Sequence, residues 1–114
     1  MHELSIAQNL MALCEKNARE NNAKSVKKIE IKIGRLSGVE PHYLESAFSV
    51  LQPDSICKDA VLLCHLQEIV VVCNDCGAKS ELSKNEFLCP KCGSAELKVI
   101  DGEDMYLMRL ELGF

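Results

Sequence analysis

Hydrophobic residues recur at helical spacing over the first twenty positions of the chain. The residues that share this apolar face are Ile6, Leu10, Leu13, Cys14 and Ala18. Ser5 followed by Gln8 is a capping-box pattern, in which each side chain satisfies a backbone amide of the first turn. We therefore expect a helix from about Ile6 to Asn21 or Asn22, with residues 1–3 outside it and their backbone uncommitted.

Three later segments have the patterns of β-strands. Ile29, Ile31 and Ile33 alternate with charged residues, which predicts a half-buried strand ended by Gly34. Ala60–Leu66 is apolar on both faces, which predicts a central strand, and Ile69 to Val72 is expected to continue it. A last half-buried strand is predicted where alternate positions are apolar. These positions are Tyr106, Met108, Leu110 and Leu112.

A second helix is predicted between two prolines. Pro41 suits the first helical position and Pro53 ends the segment. The apolar stripe between them consists of Leu44, Ala47, Phe48 and Leu51. Glu40 precedes the helix, where the macrodipole favours a carboxylate, and His42 falls in the exposed first turn.

The polar segment from Cys73 to about Lys98 interrupts this order of elements. It is too short and too polar to bury enough surface to fold without a covalent or metal cross-link. The predicted fold class is therefore α+β, with a small mixed sheet, two helices and an inserted tetracysteine lobe that is like a zinc ribbon. Residues 1–72 and 99–114 would form the α/β domain, and residues 73–98 the inserted lobe.

Composition excludes several classes of protein. The 114 residues carry a net charge of −4, contain no Trp and are only 4% aromatic, which disfavours phosphate-backbone binding and base stacking. No apolar run approaches the 20 or so residues that span a membrane. The start of the chain lacks the basic and apolar regions of a signal peptide, so we expect a cytoplasmic protein with no nucleic-acid or membrane partner.

Four of the seven cysteines form two Cys-x-x-Cys-Gly motifs, at Cys73 and Cys76 and at Cys89 and Cys92. The glycine that ends each motif can adopt the left-handed conformation and lets backbone amides approach the sulfurs. This double spacing is typical of a tetrathiolate metal site, and zinc is favoured over the iron of a rubredoxin because Phe87 is the lobe's only aromatic residue. Four thiolates leave no open position, so the site would be structural. The alternatives are chance spacing of free cysteines and a redox Cys-x-x-Cys pair.

The other three cysteines lack a partner at motif spacing. Cys14 and Cys64 fall on apolar positions and are expected in the core, whereas Cys57 falls in a loop as a free thiol without an assigned role. His65 falls in the predicted central strand and is expected to be partly buried and hydrogen-bonded.

The amino terminus offers a second set of metal ligands. The amine of Met1, the amide nitrogen of His2 and the imidazole of His2 can close adjacent chelate rings around one ion. Nitrogen-rich square-planar geometry suits Ni(II) or Cu(II). Taken alone, a histidine at the second position is more often an ordinary solvated residue.

The chain as a whole resembles the HypA/HybF family of nickel-delivery proteins. The resemblance rests on the initial Met-His-Glu-Leu-Ser, on Ile-Gly-Arg-Leu-Ser-Gly-Val-Glu-Pro at residues 33–41, on the Leu44/Ala47/Phe48 helix and on the two cysteine motifs. It implies that His2 binds nickel together with the amine of Met1 and nearby backbone nitrogens, that Glu3 tunes this site, and that the four motif cysteines hold structural zinc. Some relatives supply a second histidine from the lobe, and residues 73–98 contain none.

By resemblance, the protein is a metallochaperone for [NiFe] hydrogenase maturation and not an enzyme. The implied partners are the maturation GTPase (HypB type), the hydrogenase large-subunit precursor and, in some bacteria, urease accessory proteins. Two rival functions remain open from the residues alone: a zinc-ribbon adaptor for nucleic acid and a rubredoxin-like electron-transfer protein.

Overall fold

The computed structural model of the chain describes residues 3–82 and 86–114. Over these described residues, two helices and six strands follow one another in an α+β arrangement, which confirms the predicted fold class. The elements are α1 (Glu3–Glu20), β1 (Ser25–Gly34), α2 (Pro41–Leu51), β2 (Val61–Gln67), β3 (Ile69–Cys73), β4 (Lys79–Leu82), β5 (Leu97–Asp101) and β6 (Met105–Gly113).

Helix α1 begins earlier than the capping-box pattern predicted. Glu3 is its first residue, so Ser5 lies inside the helix and the expectation that residue 3 lies outside it is wrong. The carboxylate of Glu3 accepts a hydrogen bond from the amide of Glu40 (3.4 Å), and this tertiary contact favours a start at residue 3. The buried face is also rotated from the predicted one, because Ala7 and Met11 are buried while Leu13 is exposed.

Helix α2 agrees with its sequence signals. Pro41 is its first residue, and the carboxylate of Glu40 caps it by accepting a hydrogen bond from the amide of His42 (3.3 Å). Leu44 and Phe48 are fully buried. The helix ends at Leu51, two residues before Pro53.

The first sheet has the strand order β2-β1-β6. Strand β1 provides its core face, since Ile29, Ile31 and Ile33 have no exposed surface. The amide of Arg35 donates to the carbonyl of Gln67 (2.9 Å), so β1 and β2 finish at the same end of the sheet.

Strand β6 runs against β1 in this sheet. The amide of Gly34 donates to the carbonyl of Asp104 (2.9 Å), and that of Lys24 donates to the carbonyl of Gly113 (2.7 Å). The sheet is therefore mixed, as predicted. Along β6, Leu110 and Leu112 are half-buried as expected, whereas Tyr106 and Met108 are exposed.

Two predictions about the central strand are wrong. Strand β2 is an edge strand that pairs with β1, and Val61 and Leu66 are more than half exposed on it. Ile69–Cys73 does not continue β2 but forms β3, the middle strand of a second sheet of order β4-β3-β5. The apolar residues on both faces of Ala60–Leu66 therefore do not indicate a central strand.

The second sheet is antiparallel and has its own small core. Ile69 pairs with Leu82 on β4, and Cys73 pairs with Leu97 on β5, with a bulge between Val70 and Val71. The side chains that pack together in this core are Ile69, Val71, Leu82, Leu97 and Val99.

The described residues form two compact units. The first comprises those of Met1–Lys32, Val39–His65 and Tyr106–Phe114, and the second comprises those of Ile33–Gly38 and Leu66–Met105. The second unit thus includes more of the chain than residues 73–98, because β3 and β5 pair within it. Within residues 3–82 and 86–114, no helix is long and apolar enough to cross a membrane.

Candidate metal centre

Each cysteine motif folds into the same tight turn. In the first, the amide of Cys73 donates to the carbonyl of Ala78 (2.9 Å) and the amide of Gly77 donates to the carbonyl of Cys73 (2.9 Å). The second turn repeats this pattern, from Cys89 to Ser94 and from Gly93 back to Cys89, both at 2.8 Å. The two glycines have φ of +74° and +75°, the left-handed conformation that their place in the sequence predicted.

The two turns bring the four sulfurs together. The Sγ atoms of Cys73 and Cys92 are 3.5 Å apart, and those of Cys76 and Cys89 are 3.6 Å apart. All four sulfurs lie within 4.8 Å of one another. Zn–S bonds of about 2.3 Å in a tetrahedron place sulfurs about 3.8 Å apart, so the cluster has the dimensions of a tetrathiolate site.

Backbone amides stabilise the thiolate at the first cysteine of each motif. The amide of Cys76 donates to Sγ of Cys73 (3.4 Å) and lowers the pKa of that thiol. The amides of Cys92 and Lys91 lower the pKa of Cys89 to about 6. Because thiolates and not thiols bind metal, these amides favour the ligating form near neutral pH.

A hydrogen-bonded pair outside the sulfur cluster joins the two motifs. The hydroxyl of Ser94 donates to the carboxylate of Asp75, and the same hydroxyl accepts a hydrogen bond from the amide of Glu96 (3.0 Å). The amide of Asn74 donates to the carbonyl of Glu96 (2.8 Å), which adds a backbone connection. Sequence reasoning missed Asp75 and Ser94, although both lie within two residues of a ligand candidate.

The amino-terminal residues are described only in part. Met1 and His2 lie outside the described residues. Glu3, the third residue predicted at that site, is only 8% exposed at the start of α1, and its carboxylate contacts the amide of Glu40. Glu3 therefore couples the start of α1 to the residue that caps α2.

The other two histidines lie outside residues 73–98 in the sequence. His42 is exposed in the first turn of α2, as predicted. His65 is exposed on the edge strand β2 and not partly buried, because β2 is not a central strand. Its Nε2 lies 3.1 Å from a carboxylate oxygen of Glu30, so the predicted hydrogen bond is present.

The remaining cysteines are not all where the sequence placed them. Cys14 is fully buried, as predicted, and Cys57 is a free cysteine in the loop after α2, as predicted. The sequence did not indicate that Cys57 is also fully buried. A hydrogen bond between these two thiols, together with burial, raises the pKa of Cys14. Cys64 is half-buried, and burial raises the pKa of its thiol to about 11.

These features define a small α+β metal-binding protein with a tetracysteine centre. A family model described as "HypA: Hydrogenase/urease nickel incorporation, metallochaperone, hypA" matches residues 1–112. The chain belongs to the HypA family, as the sequence motifs indicated.

Individual relatives cover nearly the whole chain. The "Hydrogenase maturation factor HypA" of Aquifex aeolicus is 48% identical over 98% of this chain and 97% of its own length. The "Solution structure of the Ni metallochaperone HypA from Helicobacter pylori" superposes with a TM-score of 0.72 at 31% identity, covering 99% of this chain and 98% of that one. A second solved structure, the "Solution structure of HypA protein", gives a TM-score of 0.74 at 32% identity, with 98% and 96% covered.

Proposed function

We propose that this chain is a nickel metallochaperone that carries Ni(II) at its amino terminus and delivers it for [NiFe] hydrogenase maturation. The family match over residues 1–112 is the observation that carries the proposal. It does not favour the zinc-ribbon adaptor or the electron-transfer protein.

The proposed nickel ligands are the imidazole and amide nitrogen of His2 and the amine of Met1. Three nitrogens in sequence favour the planar geometry of Ni(II) and bind it without a preformed cavity. The role proposed for Glu3 is to tune this site, and its support is that Glu3, next to His2 in the sequence, has a buried carboxylate that accepts a hydrogen bond from the amide of Glu40. Residues 73–98 contain no histidine, so water, a carboxylate or a further backbone nitrogen completes the site.

The proposed resident metal is zinc, held by Cys73, Cys76, Cys89 and Cys92. The sulfur separations of 3.5 and 3.6 Å support this assignment. When bound, zinc supplies folding free energy to the turns that surround it. Four thiolate ligands leave no position for a substrate, which agrees with a structural role and with a protein that is not an enzyme.

The proposed partners receive nickel or assist its transfer. They are the hydrogenase maturation GTPase (HypB type), the hydrogenase large-subunit precursor and urease accessory proteins. The words "hydrogenase/urease nickel incorporation" in the family description support both destinations.

Replacing His2 by alanine tests the nickel site. His2→Ala in a protein produced with Met1 as its first residue should weaken nickel binding by about 100-fold or more, beyond the effect of losing an outer-shell partner. Calorimetric titration with Ni(II) measures the affinity, and metal analysis measures zinc. Zinc content and thermal stability should stay unchanged, and His42→Ala, at an exposed histidine of α2, is the matched control.

Blocking the terminal amine provides an independent check. Residues added before Met1 convert this amine into a peptide amide, which binds nickel only after losing its proton, so affinity should fall and should fall further at lower pH. If His2→Ala and the extended protein both bind nickel as tightly as the wild type, the amino-terminal site is refuted.

A further inference from the structure

A cavity of about 400 Å³ lies in the first unit, away in sequence from the amino terminus and from the two Cys-x-x-Cys-Gly motifs. It is formed by the start of β1 and the segment that follows α2. Its lining residues are Lys24, Ser25, Val26, Lys27, Ser55, Ile56, Lys58 and Asp59. This volume falls within the range of about 300–1,000 Å³ that is typical of small-molecule sites.

Main-chain hydrogen bonds hold the two walls of the cavity together. The amide of Val26 donates to the carbonyl of Ile56 (3.0 Å), which joins β1 to the segment after α2. The amide of Lys24 donates to the carbonyl of Gly113 (2.7 Å), which fixes the start of β1 against the end of β6. The backbone positions of both walls are therefore set by the fold.

Hydrogen bonds from the side chain of Gln52 also hold the segment after α2 together. The side-chain amide of Gln52 donates to the carbonyls of Cys57 (3.0 Å) and Ala60 (2.9 Å). The hydroxyl of Ser55 accepts a hydrogen bond from the amide of Cys57 (3.0 Å) and donates to the carbonyl of Gln52 (2.9 Å). A ligand would thus meet a wall that is already ordered, which lowers the entropy lost on binding.

The charge of this lining is opposite to that of the whole chain. Three lysines, Lys24, Lys27 and Lys58, and one acidic residue, Asp59, are among the residues that line the cavity, and all four are exposed. The lining is therefore net positive in a chain whose net charge is −4. Ammonium groups donate up to three hydrogen bonds each and accept none, so they match the oxygens of a multiply charged anion.

We propose that this cavity binds a small phosphate-bearing anion with more than one negative charge, of which pyrophosphate is the simplest. Three lysines against one acidic residue in the lining of a single cavity favour a multiply charged phosphate over a monovalent carboxylate. None of the described residues that line it is aromatic, so recognition rests on the phosphates and not on stacking against a base.

Titration of the full-length protein with sodium pyrophosphate tests this proposal. Amide resonances of residues 24–27 and 55–59 should shift saturably in nitrogen-15 spectra at constant ionic strength. In the triple variant Lys24→Gln, Lys27→Gln, Lys58→Gln, affinity should fall by about tenfold or more. The control variant Lys16→Gln, Lys79→Gln, Lys98→Gln removes the same charge at exposed positions and should bind like the wild type.

Several results would overturn the proposal. The first is the absence of a saturable shift with pyrophosphate. The second is that sodium chloride at matched ionic strength causes the same shifts. The third is an equal loss of pyrophosphate affinity in the control variant. Inorganic phosphate, inorganic tripolyphosphate and a nucleoside triphosphate, titrated in parallel, identify the source of the phosphate. Equal affinity for the nucleoside triphosphate and inorganic tripolyphosphate, which match in phosphate number, would support recognition of phosphate alone, whereas clearly tighter binding of the nucleotide than of tripolyphosphate would contradict a site that does not recognise the base. His2→Ala should bind pyrophosphate unchanged, which separates this site from the nickel site.

Discussion

At the scale of single residues, an ion pair in the second unit fixes the chain just beyond β1. The guanidinium of Arg35 donates to both carboxylate oxygens of Glu68, at 2.6 and 2.9 Å. The adjacent amide of Arg35 donates to the carbonyl of Gln67. Arg35 lowers the pKa of Glu68 through this hydrogen bond. Because the geometry is bidentate, the pair also sets the direction in which the chain leaves the strand.

The first prediction concerns the pH dependence of this pair. Since folding lowers the pKa of Glu68, its stabilising contribution is complete above the unfolded value of about 4.3. The contribution is lost as the pH falls through the lower folded value. Glu68→Gln should therefore lower the melting temperature at neutral pH and lose less on acidification than the wild type. Thermal melts between neutral and acidic pH measure both effects.

Glu103→Gln is the control for this comparison, because Glu103 is an exposed carboxylate of the same unit. It should leave the melting temperature and its pH dependence close to those of the wild type. Coincident melting-temperature curves for Glu68→Gln and the wild type would show that the ion pair contributes nothing to folding.

At the scale of elements, two glycines allow the end of β1 to approach the turn before β6. A methyl group on Gly34 would lie 2.4 Å from the backbone carbon and oxygen of Gly102. Gly102 itself has φ of +95°, and a methyl group there would lie 2.8 Å from the carbonyl oxygen of Glu68. The sequence predicted that Gly34 ends a strand, and the structure shows that close backbone packing requires it.

The second prediction follows from this close approach. Gly34→Ala should destabilise the protein by about 1–3 kcal/mol, the usual cost of overpacking, because backbone atoms cannot move aside as a flexible side chain can. Denaturant unfolding measures the free energy. Gly38→Ala is the comparison, since its methyl group would meet nothing within 4 Å and would test only the cost of φ at +77°. Equal losses at the two positions would argue against the steric explanation.

At the scale of the whole molecule, the two units differ in what stabilises them. Helices α1 and α2 and strand β1 supply the buried side chains of the first unit, including Leu10, Ile29 and Phe48. The core of the second unit is smaller. Among its described residues, the buried members of its hydrophobic cluster are Ile69, Val71 and Leu82. So small a core is expected to need a metal ion to stay folded.

The third prediction is that the units respond differently to loss of metal. Strong chelation, or Cys73→Ala, should unfold residues 73–98 and disturb the paired strands β3 and β5, while both helices stay largely formed. Amide hydrogen exchange should show lost protection at Val71 and Val99 and retained protection at Leu10 and Phe48. Cys64→Ala, which removes a half-buried thiol from β2, is the control. Loss of helical circular dichroism together with the second unit would refute this two-part behaviour.

The sequence alone determined the elements whose signals are local. Three such signals depend on neighbouring residues only, and each predicted a local conformation. They are the alternation in β1, the start of α2 at Pro41 and the glycine that ends each cysteine motif. The two cysteine motifs also predicted a tetrathiolate cluster, because each pair is positioned by one tight turn. The resemblance to the HypA family rested on the cysteine motifs together with the initial Met-His-Glu-Leu-Ser, residues 33–41 and the Leu44/Ala47/Phe48 helix.

Only the tertiary structure decided which segments pair and what is buried between them. Hydrophobic periodicity shows that a strand has an apolar face, but it does not identify the strand that pairs with it. For this reason β2 was expected at the centre of a sheet and lies at its edge. Several contacts link residues that are far apart in the sequence: Glu3 with Glu40, Arg35 with Glu68, and Cys57 with Cys14. Such contacts depend on how the elements pack, which a local pattern cannot specify.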